Sequence, residues 1–266
     1  MYTMAPGALD FPNDFGENSL GTPRALSTSM STASSTYLTR RFLPATWRRM
    51  REQALHTTVR ALVHTMYRLR KTGLQHVPDG PAVLVCNHVS FVDALIIGAA
   101  FRKPVRFVMD HRIYRTPALR WFFDAVSVIP IARAKDDAAL LDRAYDRIAE
   151  ALRRGELVCI FPEGMITHDG ELNRFRDGVR RIVDRTPVPV VPLALRGMWG
   201  SFFSRRGGPA MRGLPKRFWS KIELVAAPAL SPASVDADAL QQTISDLLGQ
   251  PQPATSSSRS LVENAA

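Results

Sequence analysis

From Pro81 onward, apolar runs alternate with amphipathic stretches, and the alternation predicts the elements. Runs at 82–86, 105–109, 127–132, 157–161, 188–195 and 221–226 predict strands. Short apolar runs bounded by turn formers suit a sheet buried on both faces. Apolar residues at three- and four-residue spacing predict helices over 91–101, 136–154, 177–185 and 234–248. Asp136 and Asp137 put acid at the start of the second helix, and Arg153-Arg154-Gly155 put base and a stop at its end. Strands alternating with helices imply an α/β fold with a mixed, largely parallel central sheet flanked by helices.

Between Pro44 and Lys71 the pattern is helical and basic. Val59, Leu62, Val63, Met66 and Leu69 share one helical face, with Arg60, His64 and Arg68 opposite. Trp47 and Met50 occupy a different face beside Arg48, Arg49 and Arg51, which predicts two short helices or one kinked helix. Two roles fit: packing on the core, or an interfacial anchor with Trp at headgroup level and arginines toward anionic lipid. Residues 1–38 and 250–266 are rich in Ser, Thr, Pro and Gly without sustained periodicity and read as disordered. The expected organisation is therefore a disordered segment (1–38), basic amphipathic helices (39–74), an α/β domain (75–249) and a disordered tail (250–266).

Composition narrows the partners. The chain has 266 residues, 45% of them hydrophobic, enough for one sizeable core. No apolar stretch approaches the ~18 residues of a membrane-spanning helix, and no basic region followed by an apolar core marks a signal peptide. A peripheral protein at the cytoplasmic face of a membrane is expected. Lys and Arg number 35 against 24 Asp and Glu, a formal charge of +11. Such an excess favours an anionic partner: nucleic acid, anionic lipid, a phosphorylated substrate or an acidic carrier protein. Zinc-finger spacing and RNP-like segments are absent from the sequence, so nucleic acid is not expected. Cys86 and Cys159 lie inside apolar runs and read as small core hydrophobes.

Four segments carry chemistry. The first is Asn87-His88-Val89-Ser90-Phe91-Val92-Asp93, after the run 82–86. Each helical residue advances ~100°, so His88 and Asp93 meet only across a strand-to-helix turn. Asp93 would then fix one ring nitrogen and leave the other basic; a capping Asp beside a surface His is the alternative. The second is Phe161-Pro162-Glu163-Gly164-Met165-Ile166-Thr167, a turn at a strand's C-terminal end, where α/β folds place their sites. The third is the strand that delivers Arg133, a planar charged fork suited to phosphate or a solvated strand-end charge. The fourth, Pro187 to Leu195, carries several prolines in an apolar run, which suggests an edge or site-lining strand.

In order and approximate spacing these segments resemble the 1-acyl-glycerol-3-phosphate acyltransferase family of glycerolipid acyltransferases. Its blocks are NHxxxxD, a GxxFIxR-like block, FPEGTRS and a proline-bearing apolar strand, and the resemblance covers about residues 75–200. It implies an O-acyltransferase moving a fatty acyl group from acyl-CoA or acyl carrier protein to a lysophospholipid hydroxyl at a membrane surface bearing anionic lipid. His88 would be the general base and Asp93 its charge partner. Arg133, Glu163 and Gly164 would bind the acceptor, and Pro192 would match the fourth block. Arg176, in the FKxG-like Phe175-Arg176-Asp177-Gly178, would be a second phosphate ligand. No cofactor or metal is implied. No GxSxG occurs, so direct transfer without an acyl-enzyme is expected.

The departures are specific. Ser127 stands where Gly is usual and Pro130 where Phe is usual. Met165-Ile166-Thr167 replaces TRS, so the third block's arginine is missing. A substituted lysophospholipid or a lyso-aminolipid becomes an alternative acceptor, with Arg174 or Arg176 able to compensate. A lipid hydrolase or transacylase using the same His–Asp pair would also fit these residues, as would a noncatalytic lipid-binding module. The loop 197–206 mixes aromatics with arginine and reads as interfacial or as core-closing. Tyr114, Trp121, Phe122 and Phe123 would line an acyl groove or pack in the core.

Overall fold

The computed structural model describes residues 45–206, 208 and 219–249. The stretches read as disordered, 1–38 and 250–266, lie outside them, as do the side chains of Trp47, Arg48 and Arg49.

A seven-stranded sheet forms the centre, in the order β1-β7-β6-β2-β5-β3-β4. The strands are β1 (Tyr67–Thr72), β2 (Ala82–Cys86), β3 (Val105–Asp110), β4 (Ile129–Ile131), β5 (Leu157–Ile160), β6 (Val190–Arg196) and β7 (Ser220–Ala226). All neighbours pair in parallel except β6 and β7. The sheet is mixed and largely parallel, as the alternating pattern predicts. Every residue of β2 is buried, which explains its uninterrupted apolar sequence.

Helices cover both faces. On one lie α1 (Ala45–Met66) and α2 (Asp93–Ala100), packed on each other and on a core that includes Val63, Leu84, Ile96, Ile97 and Leu193. On the other lie α5 (Ala134–Arg153), α6 (Gly178–Arg185) and α7 (Ala237–Leu248), over Val83, Val85, Ile148, Ile182 and Leu240. Asp137 breaks the helical backbone inside α5, and its carboxylate accepts from Leu140 N at 2.8 Å, so it caps the long part of that helix. Gly155, at φ 80°, stops it.

Three expectations are corrected. Residues 67–71 are not helical: α1 is one helix that ends at Met66, and Tyr67–Thr72 pairs with β7. Leu69, half-buried in β1, falls three residues after Met66 and so continues the apolar spacing of α1. The proline-bearing strand β6 is not an edge strand; it lies between β2 and β7. Pro192 is tolerated there because its carbonyl accepts from Ala227 N while paired residues of β7 begin opposite Leu193. Its missing donor therefore falls at the end of that ladder. Between β3 and β4 the chain forms two short helices that the periodicity did not predict, α3 (His111–Tyr114) and α4 (Pro117–Ala125). In α4 only Phe123 is buried, so its apolar residues do not draw a core-facing stripe.

Candidate active site

β2 ends at Cys86, and the side chain of Asn87 continues its pairing. Asn87 Nδ2 donates to Leu195 O at 3.1 Å, and Leu195 N donates to Asn87 Oδ1 at 2.8 Å. The amide thus imitates a strand residue while the main chain turns away. His88 opens that turn and Asp93 is the first residue of α2. His88 Nδ1 lies 2.9 Å from Asp93 Oδ2, which also accepts from Val89 N at 2.7 Å and Ser90 N at 2.8 Å. Ser90 Oγ donates to Asp93 Oδ1. Asp93 is wholly buried, and these donors compensate its burial. Because the carboxylate is the acceptor in each contact, Nδ1 carries the ring proton and Nε2 keeps its lone pair. The ring stacks on Phe161, centroids 4.1 Å apart, and its side chain remains 21% exposed.

Glu163 ties the second segment to the first. Its Oε1 accepts from His88 N at 2.7 Å, and its Oε2 from Asn173 N at 2.9 Å and Asn173 Nδ2 at 2.8 Å. Thr167 N donates to His88 O at 3.0 Å, so the loop holds His88 at both main-chain groups. Burial pushes the Glu163 carboxyl above the ordinary glutamate range, and the donors of Asn173 and His88 pull against that rise. Gly164 has φ 68°, and a Cβ added there would stand 3.0 Å from the Arg176 guanidinium carbon. Arg174 and Arg176, both exposed, line an open pocket with Glu163, Met165 and Asn173. Ile166, in the usual arginine position, is buried and is not part of its lining.

The sequence and the fold are similar to those of known proteins. Residues 68–196 match the family model described as Acyltransferase. That stretch is thus similar to acyltransferase domains. It is 33% identical over 137 residues to the chloroplastic 1-acyl-sn-glycerol-3-phosphate acyltransferase of Arabidopsis thaliana, covering 51% of this chain and 38% of that one. It is 30% identical over 118 residues to the lyso-ornithine lipid O-acyltransferase of Pseudomonas aeruginosa, covering 44% of each. The chain thus spans less than half the length of these relatives. The crystal structure of the 1-acyl-sn-glycerophosphate acyltransferase of Thermotoga maritima shares the fold, with a TM-score of 0.56 and 21% identity over 76% of this chain and 78% of that one.

Within the matched stretch, five of the six expected residues come together: His88, Asp93, Glu163, Gly164 and Arg176. Arg133 does not join them. It follows β4, three strand steps from β2, about 14 Å at ordinary strand spacing. Its side chain is 45% exposed and paired with Asp136 at 2.8 Å. The loop 197–206 packs against the first segment. Ser204 bridges Ser90, Phe91 N donates to Phe203 O at 3.2 Å, and Arg205 lies over the Phe91 ring. Phe161, Asn173 and the Ser90 hydroxyl escaped the sequence reading. Phe161 had a signal in its place directly before Pro162. Asn173 had none, because its contact closes only when the loop folds back.

Proposed function

We propose that this chain is a glycerolipid O-acyltransferase that moves a fatty acyl group from a thioester to the free hydroxyl of a lysophospholipid. One observation carries the reading: a His88 Nδ1–Asp93 contact of 2.9 Å, with Nε2 unpartnered among the described residues at the C-terminal edge of the sheet. Nε2 takes the hydroxyl proton as that oxygen attacks the thioester carbonyl. The C–O bond forms, the C–S bond breaks, and the imidazolium returns the proton to the departing thiolate. Asp93 holds the tautomer and offsets the imidazolium charge. Arg174 and Arg176 bind the acceptor's phosphate, with Glu163 and Gly164 shaping the loop that presents them. Acyl-CoA or acyl carrier protein serves as donor. The chain acts as a peripheral protein at the cytoplasmic face, and among the described residues no helix is long and apolar enough to cross a membrane.

A second reading has its own support. With Ile166 buried where the family block has arginine, the acceptor is a lyso-aminolipid or a substituted lysophospholipid. The 30% identity to a lyso-ornithine lipid O-acyltransferase favours that option. Purified full-length chain with labelled acyl-CoA and a panel of lysolipids separates the two. Transfer to 1-acyl-glycerol-3-phosphate supports the first, and transfer only to an aminolipid supports the second. Thioester hydrolysis with transfer to none would sink both. His88→Ala abolishes turnover if Nε2 is the base.

A further inference from the structure

Among the described residues eight large apolar side chains are exposed, and four of them gather at one edge of the sheet: Phe91, Ile113, Met165 and Trp219. The first three follow the C-terminal ends of β2, β3 and β5, which run parallel. Trp219 immediately precedes β7, which runs antiparallel to β6, so it stands at the same edge. This is the edge that carries His88.

Trp219 adds an independent observation. Its backbone sits in the left-handed region, φ 62°, where a bulky side chain is costly. Its N–H donates to Met66 O at 2.8 Å, yet its side chain is 60% exposed. The fold holds a strained residue without burying its ring. Charge at this edge is also unmatched. Asp136 is taken by Arg112 and Arg133, whereas Arg174 and Arg176 form no ion pair among the described residues.

We propose that this edge docks on an anionic bilayer, with Phe91, Ile113, Met165 and Trp219 entering the boundary between headgroups and acyl chains. Arg174 and Arg176 then meet lipid phosphates, the acceptor's among them. The proposal rests on the acyl-transfer reading of His88, because a bilayer-resident hydroxyl must reach Nε2 at this edge. The exposed Leu119 and Trp121 belong to α4, in the crossover between the parallel strands β3 and β4. There Arg120 is already engaged by Asp124 and lies over the Tyr114 ring.

The test uses full-length chain carrying one added cysteine: I113C or M165C at the docking edge, L119C on α4, or D79C before β2 at the opposite edge. Cys86 and Cys159 are wholly buried and leave the added thiol as the reactive one. Each variant receives an environment-sensitive fluorophore and meets phosphatidylcholine vesicles with or without phosphatidylglycerol and a lipid-borne quencher. Quenching at positions 113 and 165, but not at 119 and 79, is expected on the anionic vesicles. Quenching at 119 without 113 and 165 overturns the proposal, as does vesicle binding with no label quenched. The double variant I113E/M165E should bind anionic vesicles about tenfold or more weakly, and an unchanged affinity also overturns it. Transfer by the unlabelled parent chain to a short-chain lysolipid free of any bilayer is measured in parallel. Transfer there without edge quenching removes the docking face alone. Edge quenching without transfer removes the acylation reading and leaves the docking face standing.

Discussion

Asp93 shows how much of the site depends on a single carboxylate. It turns a surface histidine into an oriented one because its oxygens gather the His88 ring nitrogen, two main-chain N–H groups and the Ser90 hydroxyl. In Asp93→Asn an amide NH2 would face some of those donors and favour the proton on Nε2. Turnover should fall by about 10³–10⁴-fold, by analogy with the tautomer switch in serine proteases. A circular dichroism spectrum like that of the parent would show that the loss is chemical; turnover within tenfold of the parent would remove Asp93 from its proposed role. Ser127 offers a second residue-scale test. It stands where the related family usually has glycine, and its φ is 53°. The left-handed backbone costs an L-residue about 1–2 kcal/mol, partly offset by the greater freedom of unfolded glycine. Ser127→Gly should therefore stabilise the chain by about 0.5–1 kcal/mol in urea denaturation. A loss of stability would mean that the serine carries no strain.

At the scale of elements, α1 is held to the fold by Arg106 on β3. Its guanidinium reaches Glu52 of α1 and Glu156 ahead of β5, the latter at 2.6 Å, and its side chain is only 13% exposed. His56 Nε2 adds a contact to Gly98 O at 3.2 Å on α2. Arg106→Met should cost about 2–4 kcal/mol, because it leaves two carboxylates partly buried without their shared cation. Burial alone would raise the Glu156 carboxyl, but the hydrogen bond and charge of Arg106, with Arg154, bring it below the ordinary range. A depressed carboxylate stabilises the fold above its unfolded value and loses that contribution as pH falls through its folded value. Between pH ~5 and ~3 the parent should lose stability more steeply than the Arg106→Met variant, as read from urea midpoints. Parallel slopes would exclude the pair as the source.

Taken as a whole, the molecule carries a charge of +11, and that charge acts at longer range than any contact named above. The Debye length is ~10 Å at 0.1 M salt and ~3 Å at 1 M. Binding to anionic vesicles should therefore weaken markedly between those concentrations, leaving the apolar part, while weaker binding to neutral vesicles stays nearly constant. Equal salt dependence on both vesicle types would show that the excess charge serves another partner.

The sequence by itself determined the α/β class and most of the strands, because buried parallel strands must be apolar throughout and their helices amphipathic. It also marked His88, Asp93 and Glu163, since a turn between strand and helix is written in local residue types. Tertiary structure alone decided what joins them. Asn87 pairs with Leu195, 108 positions away, and Glu163 binds the main chain of His88, 75 positions away. It alone decided that Tyr67–Thr72 is a strand, since β1 exists only where β7 offers its backbone. The same holds for Arg133, whose distance from His88 follows from strand order, and for Ile166, which is buried. Periodicity reports which face of an element is buried. It carries no information on which elements become neighbours, and a site assembled from three loops is a matter of neighbours.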